Sequence, residues 1–181
     1  MHDVTFITGN QSKADYLAKY LGYPVKHVKI NLDELQSLDL HTVVEHKALQ
    51  AYQKVQGPVL VEDVSLEFTA WGRLPGTFIK FFVDELPFKT ICAMLNGMDR
   101  SAVARCVFGY CNGDRVELIE GELKGSIALA PAGTNGFGWD RIFIPEGYSV
   151  TRACLGPEDD KITYATIKPF AKLKQFLESE Q

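Results

Sequence analysis

Two adjacent acids, Glu62 and Asp63, are the first side chains whose types and spacing indicate metal chemistry. They follow Val59-Leu60-Val61, a continuous apolar run typical of a strand covered on both faces. In open α/β sheets, ligands bind beyond the carboxyl ends of the strands, and Mg²⁺ takes one or two carboxylates plus water and phosphate oxygens. The pair therefore indicates a Mg²⁺ site. The alternative is an acidic turn that only interrupts the strand.

The segment Thr8-Gly9-Asn10-Gln11-Ser12-Lys13 has the residue types that bind phosphate. It begins where the apolar run Val4-Thr5-Phe6-Ile7 ends and a helical pattern starts. N–H groups at a helix start, a glycine that permits close approach and a lysine one turn into the helix together form a phosphate cradle. The alternative is local, because Thr8 or Asn10 can simply cap the helix.

Lys47 interrupts the apolar face of a predicted helix that carries Leu40, Val44, Ala48 and Ala51. At about 100° per residue, Lys47 falls inside this apolar arc rather than on the exposed face. A buried ammonium group needs an anionic partner or a route to solvent, because desolvating it alone is costly. Two explanations stay open: the side chain extends past the core to water, or it faces bound phosphates.

A glycine-rich loop, Gly133-Thr134-Asn135-Gly136-Phe137-Gly138-Trp139-Asp140, carries two aromatic side chains and an acid. Glycines let the backbone approach a ligand, and an aromatic face can stack on a base, as it does in single-stranded nucleic acids. The alternative is a tight loop that Phe137 and Trp139 anchor in the core. Composition alone does not separate these two interpretations.

The surrounding pattern predicts an α/β fold with an antiparallel portion in the second half. Helices are predicted at 11–21, 40–55, 78–83, 88–95 and from Pro169 onward, and strands at 4–7, 25–30, 59–61, 101–111 and 114–130. Leu74-Pro75-Gly76 predicts a turn, and Cys111-Asn112-Gly113-Asp114 predicts a hairpin turn. If the strand at 59–61 runs parallel to the first strand, the phosphate cradle and the acidic pair open on one edge of the sheet.

Composition indicates one globular domain over residues 1–181. Hydrophobic residues make up 46% and charged residues 23% of the 181 residues, so a core can form without disulfides. The net charge of −4 argues against broad nucleic-acid binding, and no apolar run approaches a membrane span. The four cysteines form no C-x-x-C pair. With no signal region at the start, we expect reduced thiols in a cytoplasmic protein that has no nucleic-acid or membrane partner.

These blocks, in this order and spacing, resemble the inosine triphosphate pyrophosphatase family, the house-cleaning purine NTP pyrophosphatases. The resemblance runs from Thr5 to about Tyr148. It rests on four motifs. T-G-N-x-x-K corresponds to Thr8–Lys13, and E-D corresponds to Glu62-Asp63. L-P-G corresponds to Leu74–Gly76, which Lys80 follows, and G-F-G-W-D corresponds to Gly136–Asp140, which Ile142-Phe143 and Pro145 follow. The resemblance implies a long mixed β-sheet flanked by helices, two lobes with a central cleft for substrate, and a homodimer.

The resemblance also assigns roles to single residues. It implies that Asp63, Lys13 and Lys47 are catalytic and that Glu34 and Asp63 bind Mg²⁺, with Mn²⁺ as a substitute. The residues implied to bind substrate are Thr8, Gly9, Asn10, Lys13, Lys47, Val64, Ser65, Lys80, Phe137, Gly138, Trp139, Asp140 and Lys161. Water oriented by the acids then attacks the α-phosphorus and expels pyrophosphate, while the lysines and the helix start neutralise charge.

One segment departs from the family pattern. The family carries Ser-His-Arg before its last helix, with a lysine upstream, to recognise a 6-oxo purine; residues 161–168 contain neither His nor Arg. Lys161 is the candidate for the upstream lysine, and Arg141 stands where the family has proline. Hydroxyls of Thr163, Tyr164 and Thr166 can donate or accept, so they discriminate bases less sharply than an arginine that only donates. We therefore expect a weaker preference for ITP over ATP.

The implied function is Mg²⁺-dependent hydrolysis of modified purine nucleoside triphosphates (ITP, dITP, XTP) to the monophosphate and pyrophosphate. One alternative is a pyrophosphatase of the same fold that acts on another modified nucleotide, such as a pyrimidine. A second alternative is a nucleotide-binding regulator without turnover. The presence of Lys13, Glu34 and Asp63 favours an enzyme, since a sensor has less need of a metal-activated water.

Overall fold

The computed structural model describes residues 4–22 and 24–180, which form a mixed α/β structure. The strands are β1 (Thr5–Ile7), β2 (Lys26–Val28), β3 (Val59–Phe68), β4 (Pro75–Gly76), β5 (Ser101–Cys111), β6 (Val116–Ile127) and β7 (Phe143–Pro145). The α-helices are α1 (Gln11–Leu21), α2 (Leu40–Val55), α3 (Ile79–Glu85), α4 (Phe88–Ala93), α5 (Pro157–Ile167) and α6 (Phe170–Ser179). Among these described residues, no helix combines the length and the apolar character needed to cross a membrane.

The strands form a seven-stranded sheet in the order β2-β1-β3-β5-β6-β7, with β4 on β3. Strand β1 pairs in parallel with β2 and with β3, and Phe6 lies opposite Leu60. Strands β3 and β4 are antiparallel, as are β6 and β7. The sheet is therefore mixed, as predicted, and the parallel pairing of β1 with β3 confirms the condition for placing their motifs at one sheet edge.

The chain divides into two compact units. Unit 1 contains residues 1–63, 106–120 and 169–181, and unit 2 contains residues 64–105 and 121–168. In unit 1, the buried face of α2 packs in a core cluster around β1, β3 and β5; its members are Ile7, Leu40, Val44, Ala48, Ala51, Val59, Val61, Val107 and Cys111. A side chain at Gly109 would collide with Val44, so the glycine lets α2 approach the sheet closely.

The caps of α1 and α2 explain where both helices begin and end. The side chain of Asn10 accepts the N–H of Lys13 at the start of α1, and Gly22 ends that helix in the left-handed region at φ 82°. Asp39 caps α2 in the same way by accepting the N–H of His41. Because the caps and the apolar period agree, both helices have the predicted bounds.

In unit 2, the core is built from the second half of β3, the helices α3 and α4, and parts of β5 and β6. Its fully buried large side chains include Leu66, Phe68, Ile91, Leu95, Ile127, Ile142 and Phe143. All four cysteines of the chain are free thiols, and three of them are buried.

Four sequence predictions differ from the structure. Strand β3 does not end at Val61 but continues through the acidic pair to Phe68, because Leu66 and Phe68 add buried positions beyond the acids. The predicted strand at 25–30 is shorter, since it pairs with the three residues of β1. Pro75-Gly76 forms strand β4 rather than only a turn. Helix α5 was not predicted, because it lacks a strong apolar period, although Pro157 and the three acids of its first turn are residues that favour a helix start.

Candidate active site

The segment after β1 is organised by its own side chains. The N–H of Asn10 donates to Thr8 Oγ1 over 3.1 Å, and the N–H of Lys13 donates to Asn10 Oδ1 over 3.3 Å. The local explanation, in which these residues cap the helix, is therefore confirmed. Capping does not conflict with a phosphate cradle, because it fixes the exposed Gly9 and the first turn of α1 in one conformation. Phosphate binding by Thr8, Gly9 and Asn10 stays a prediction.

Lys13 reaches from α1 to the first acid of the pair. Its Nζ lies 3.0 Å from Oε1 of Glu62, whose side chain is nearly buried. The contact follows from the parallel register, since Phe6 lies opposite Leu60 and Thr8 is thus level with Glu62. The Lys13 ammonium group lies beyond the end of β1, as the sequence predicts, whereas Glu62 lies within β3 and not at the strand end where the sequence placed it.

Lys47 projects from α2 onto the second acid. Its Nζ lies 2.6 Å from Oδ2 of Asp63 and 3.9 Å from Oε1 of Glu34. The Lys47 side chain is only 15% exposed. Lys47 therefore has the anionic partner that a cation inside an apolar arc requires, and extension to bulk water is not needed to explain it.

Helix α2 also holds the segment that carries Glu34. Gln50 accepts the N–H of Asp33 over 3.0 Å and donates back to the Asp33 carbonyl over 3.3 Å, and Lys54 donates to the carbonyl of Asn31. Positions 47, 50 and 54 share one helix face, since they are separated by three and four residues. Glu34 lies in a segment without regular structure, and its side chain is 65% exposed. The helix thus places Glu34 beside Lys47.

The donor set fits a hydrated divalent cation. Asp63 and Glu34 present their carboxylates to one ammonium group, which shows that both can face the same positive charge. In the described part of the chain, no group of three or more His, Cys, Asp or Glu side chains gathers in a way that could hold a metal. Two carboxylates with room for water and phosphate oxygens are the usual protein ligands of Mg²⁺, whereas a closed cage is not required.

In unit 2, the glycine-rich loop ends in a short 3₁₀ turn, Gly138–Arg141. The ring of Trp139 packs edge-on against Phe143 with centroids 5.5 Å apart, so this residue does anchor the loop. The ring of Phe137 is 50% exposed, so it does not anchor the loop to the same degree. The anchoring explanation therefore holds for Trp139, and stacking of a base on Phe137 stays a prediction.

Asp140 is buried inside this loop. Its Oδ2 accepts the N–H of Phe137 over 3.1 Å, and its Oδ1 lies 3.4 Å from Nε of Arg152. Burial raises the pKa of Asp140 above its ordinary value, and the charge of Arg152 opposes this rise. A side chain at Gly136, which has φ 72°, would collide with the Asp140 carboxylate. Asp140 thus fixes the shape of the loop.

The other residues predicted for substrate binding have varied surroundings. Lys80 Nζ donates to Asp84 Oδ2 over 2.7 Å on its own helix, and Lys161 is exposed on α5. Val64 is half-buried. Ser65 is fully buried, and its hydroxyl has no hydrogen-bond partner among the described residues. A direct contact between Ser65 and a ligand is not what this burial favours.

The hydroxyls of α5 serve the helix itself. Thr163 Oγ1 donates to the carbonyl of Asp159 over 2.9 Å, and Thr166 Oγ1 donates to the carbonyl of Ile162 over 2.9 Å. The hydroxyl protons of both threonines are therefore used within the helix, and recognition of a base by their oxygen atoms stays a prediction. Serine and threonine within helices commonly bond the carbonyl four residues earlier.

Two basic residues near the predicted site were missed. Lys29 follows β2, and its side chain passes so close to Gly9 that an added methyl group would lie 3.1 Å from it. Arg152 is buried beside Asp140. Lys29 left no sequence signal, since an exposed lysine after a strand is ordinary. Arg152 did leave one, because Val150, Ala153 and Leu155 surround it with apolar residues, as apolar positions surround Lys47.

Known proteins resemble this chain along nearly all of its length. The chain is 38% identical to the inosine triphosphate pyrophosphatase of Scheffersomyces stipitis over 196 aligned positions, covering 99% of this chain and 100% of that protein. It is 39% identical to inosine triphosphate pyrophosphatase 2 of Trypanosoma cruzi over 178 positions, covering 96% of this chain and 91% of that protein.

Solved structures show the same fold. The HAM1 protein of Coxiella burnetii superposes with a TM-score of 0.85 at 24% identity, covering 99% of this chain and all of that one. A nucleoside-triphosphatase / dITP/XTP pyrophosphatase of Mycobacterium abscessus superposes with a TM-score of 0.79 at 24% identity, covering 94% and 97%. The sequence model of the Ham1 family matches residues 4–176. On this match and on relatives at 38–39% identity, the chain belongs to the Ham1 family.

Proposed function

We propose that this chain is a Mg²⁺-dependent pyrophosphatase that hydrolyses modified purine nucleoside triphosphates, ITP, dITP and XTP, to the monophosphate and pyrophosphate. Two relatives at 38–39% identity are named inosine triphosphate pyrophosphatase, and the alignments cover at least 91% of each protein. The proposal does not rest on the names alone, because the side chains of unit 1 match the chemistry.

One observation carries the proposal: two lysines from different helices each lie against one acid of the same strand. Lys13 pairs with Glu62 at 3.0 Å and Lys47 pairs with Asp63 at 2.6 Å. A triphosphate brings a high negative charge that competes for these ammonium groups. Preorganised cations are what phosphoryl transfer needs most, because stabilisation of the charge on phosphate oxygens lowers the barrier. The N–H groups at the start of α1, within Thr8–Lys13, carry a partial positive charge and add to the charge of the two lysines.

In this mechanism, Lys13 and Lys47 bind phosphate oxygens, and Asp63 orients a water molecule towards the α-phosphorus. The water oxygen forms a bond to that phosphorus as the bond to the bridging α–β oxygen breaks. Pyrophosphate leaves with the electron pair, and the water proton passes to the Asp63 carboxylate. A Mg²⁺ ion held by Asp63 and Glu34, or Mn²⁺ in its place, would supply Lewis-acid stabilisation of the phosphate charge.

For the nucleoside, we propose residues of unit 2. The half-exposed ring of Phe137 offers a face on which a base can stack. Trp139 and Asp140, which follow Gly138, hold the shape of the loop. Lys80 and Lys161 offer exposed cations, while the buried Ser65 contributes packing rather than a polar contact, next to the half-buried Val64. The proposal keeps the expectation that ITP is preferred over ATP less strongly than in a Ser-His-Arg enzyme.

The test is pyrophosphate release by the purified chain from ITP, XTP, dUTP, ATP and GTP in Mg²⁺, with kcat/KM measured for each. The proposal expects the highest kcat/KM for ITP and XTP. A higher value for dUTP would support a pyrophosphatase of the same fold for another nucleotide. Binding of ITP by calorimetry without release of pyrophosphate would identify a regulator, and it would contradict the proposed function.

We also propose that the protein is a cytoplasmic homodimer that binds no nucleic acid and no membrane. The four free thiols are compatible with a reducing compartment. Light scattering coupled to size-exclusion chromatography tests the assembly: a mass of twice 20.2 kDa is expected, and a mass of 20.2 kDa would contradict the dimer.

A further inference from the structure

Arg152 is a buried cation that has no role in the proposed mechanism or in the proposed substrate binding. It lies in a 3₁₀ turn, Arg152–Cys154, and only 3% of the residue is exposed. A guanidinium group is costly to bury unless anions and hydrogen-bond acceptors surround it. Its partners therefore show what holds it in place.

These partners come from two different elements of unit 2. Nη2 of Arg152 donates to Oδ1 of Asp160 over 2.6 Å, and the guanidinium carbon lies 5.3 Å from the centre of the Tyr164 ring, both on α5. Nε lies 3.4 Å from Oδ1 of Asp140, in the turn that follows the glycine-rich loop. One side chain therefore links α5 to that loop.

The link extends to the exposed aromatic ring. Asp140, which Arg152 holds by one oxygen, uses its other oxygen to accept the N–H of Phe137. The Arg152–Asp140–Phe137 series thus connects a buried guanidinium to the ring that we propose as a stacking surface. Gly136 and Gly138 flank that ring with positive φ angles of 72° and 58°, so the loop needs such external supports to keep one conformation.

Stability alone is a weak explanation for this arrangement. A buried ion pair is often replaceable by apolar residues without loss of stability, because desolvation offsets its attraction. The Nε atom of Arg152 also has no hydrogen-bond partner among the described residues, although it is buried. A guanidinium group that joins a loop to a helix through two carboxylates therefore fits a positioning role better than a purely packing role.

We propose that Arg152 is a positioning residue for nucleoside recognition: through Asp140 it orients Phe137 and the turn that contains Trp139. This inference rests on the proposed function, because it assigns a support to the nucleoside half of the proposed site. The guanidinium group of Arg152 also lies against Tyr164, which belongs to the segment 161–168, and this segment contains no arginine.

The experiment compares Arg152→Met, Arg152→Lys and Arg100→Met in kinetics and thermal unfolding. Arg152→Met should raise the KM for ITP at least tenfold, change kcat less than threefold and reduce the ratio of kcat/KM for ITP to that for ATP. Arg152→Lys should restore part of the KM. Arg100 is the matched control, since it donates to the carbonyls of Cys92 and Ile127 elsewhere in unit 2. Its variant should lower Tm and leave the KM unchanged.

A second readout does not depend on turnover. The chain has two tryptophans, so Trp71→Phe leaves Trp139 as the only fluorophore of that type. In this background, Arg152→Met should increase acrylamide quenching of Trp139 at least twofold, and Arg100→Met should not. If Arg152→Met does not fold, Asp160→Asn removes the α5 anchor of the guanidinium group and should raise both the quenching and the KM.

The two proposals fail in different ways. Unchanged quenching and an unchanged KM in a folded Arg152→Met variant, with wild-type turnover of ITP intact, would overturn the positioning role alone. Absence of turnover in the wild type would contradict the proposed function, while the quenching of Trp139 would still decide whether Arg152 orients the loop.

Discussion

The ion pairs of unit 1 and the ion pairs around Arg152 in unit 2 use the same chemistry in different surroundings. Lys47 and Asp63 are partly exposed, at 15% and 26% of their side chains, whereas Arg152 and Asp140 are at 3% and 7%. A pair that water reaches can exchange partners with an incoming ligand at low cost. A buried pair cannot, because separating it leaves an unpaired charge. This difference supports the proposal that the Lys47–Asp63 pair supplies binding groups and that the Arg152–Asp140 pair supplies support.

The largest effect is expected at Asp63. Asp63→Asn removes the charged group that orients the water and binds the metal, without a change in side-chain volume. We expect kcat for ITP to fall by about 10²- to 10⁴-fold, the range typical of a lost general base. Circular dichroism and Tm should stay close to the wild type, because Asp63 is partly exposed. Wild-type turnover in this variant would show that unit 1 does not contain the reacting groups.

Lys47→Met should have the next largest effect. Loss of a charged hydrogen bond to phosphate costs about 1.5–3 kcal/mol, so kcat/KM should fall by about 10- to 100-fold. Thermal unfolding should change little, since water can solvate the Asp63 carboxylate that remains. The matched control is Lys19→Met, an exposed lysine on α1. Equal kinetics in the two variants would mean that Lys47 serves only the fold.

Whereas Lys47→Met should weaken catalysis, it should strengthen the binding of a metal ion in the absence of nucleotide. The ammonium group of Lys47 lies against both proposed metal ligands, Asp63 and Glu34, so it repels a cation at that position. At such distances the repulsion is about 1–4 kcal/mol, which predicts Mn²⁺ binding at least about fivefold tighter in Lys47→Met than in the wild type. Isothermal titration with Mn²⁺ measures this. Weaker Mn²⁺ binding in the variant would contradict the assignment of these two ligands.

The smallest effect concerns the pH dependence of stability. Burial raises the pKa of Asp140, so the folded state binds its proton more readily than the unfolded state does. Above the pKa that Asp140 has in the folded state, its ionised carboxylate therefore lowers the free energy of unfolding. This destabilisation disappears as the pH falls through that pKa towards the pKa of the unfolded state, about 3.9. Denaturant unfolding at pH 7 and pH 4 should show the wild type gaining stability at low pH relative to Asp140→Asn. A relative loss at low pH would reverse the sign and contradict the prediction.

Residue patterns in the sequence predicted the structure correctly where contacts between distant segments did not oppose a local rule. The apolar period and the caps gave the bounds of α1 and α2, and the position of Lys47 in an apolar arc anticipated its anionic partner. The pairing of Lys13 with Glu62 depended on a parallel register that the sequence could only state as a condition.

Other features depended on contacts that no local pattern carries. The extension of β3 beyond the acids follows from burial of Leu66 and Phe68 in unit 2. Helix α5 has only a weak apolar face, and the hydroxyls of Thr163 and Thr166 donate to carbonyls of their own helix. The partners of Arg152 lie 8 and 12 residues away in the chain, at Asp160 and Asp140, and only the folded structure brings them together.

The most direct test of the central claim is hydrolysis of ITP by the wild-type chain in H₂¹⁸O with Mg²⁺, followed by mass spectrometry of the products. The mechanism expects IMP and pyrophosphate, with the ¹⁸O atom in the phosphate of IMP, because water attacks the α-phosphorus. IDP with labelled phosphate, or label in pyrophosphate, would show attack at a different phosphorus and would contradict the proposed chemistry.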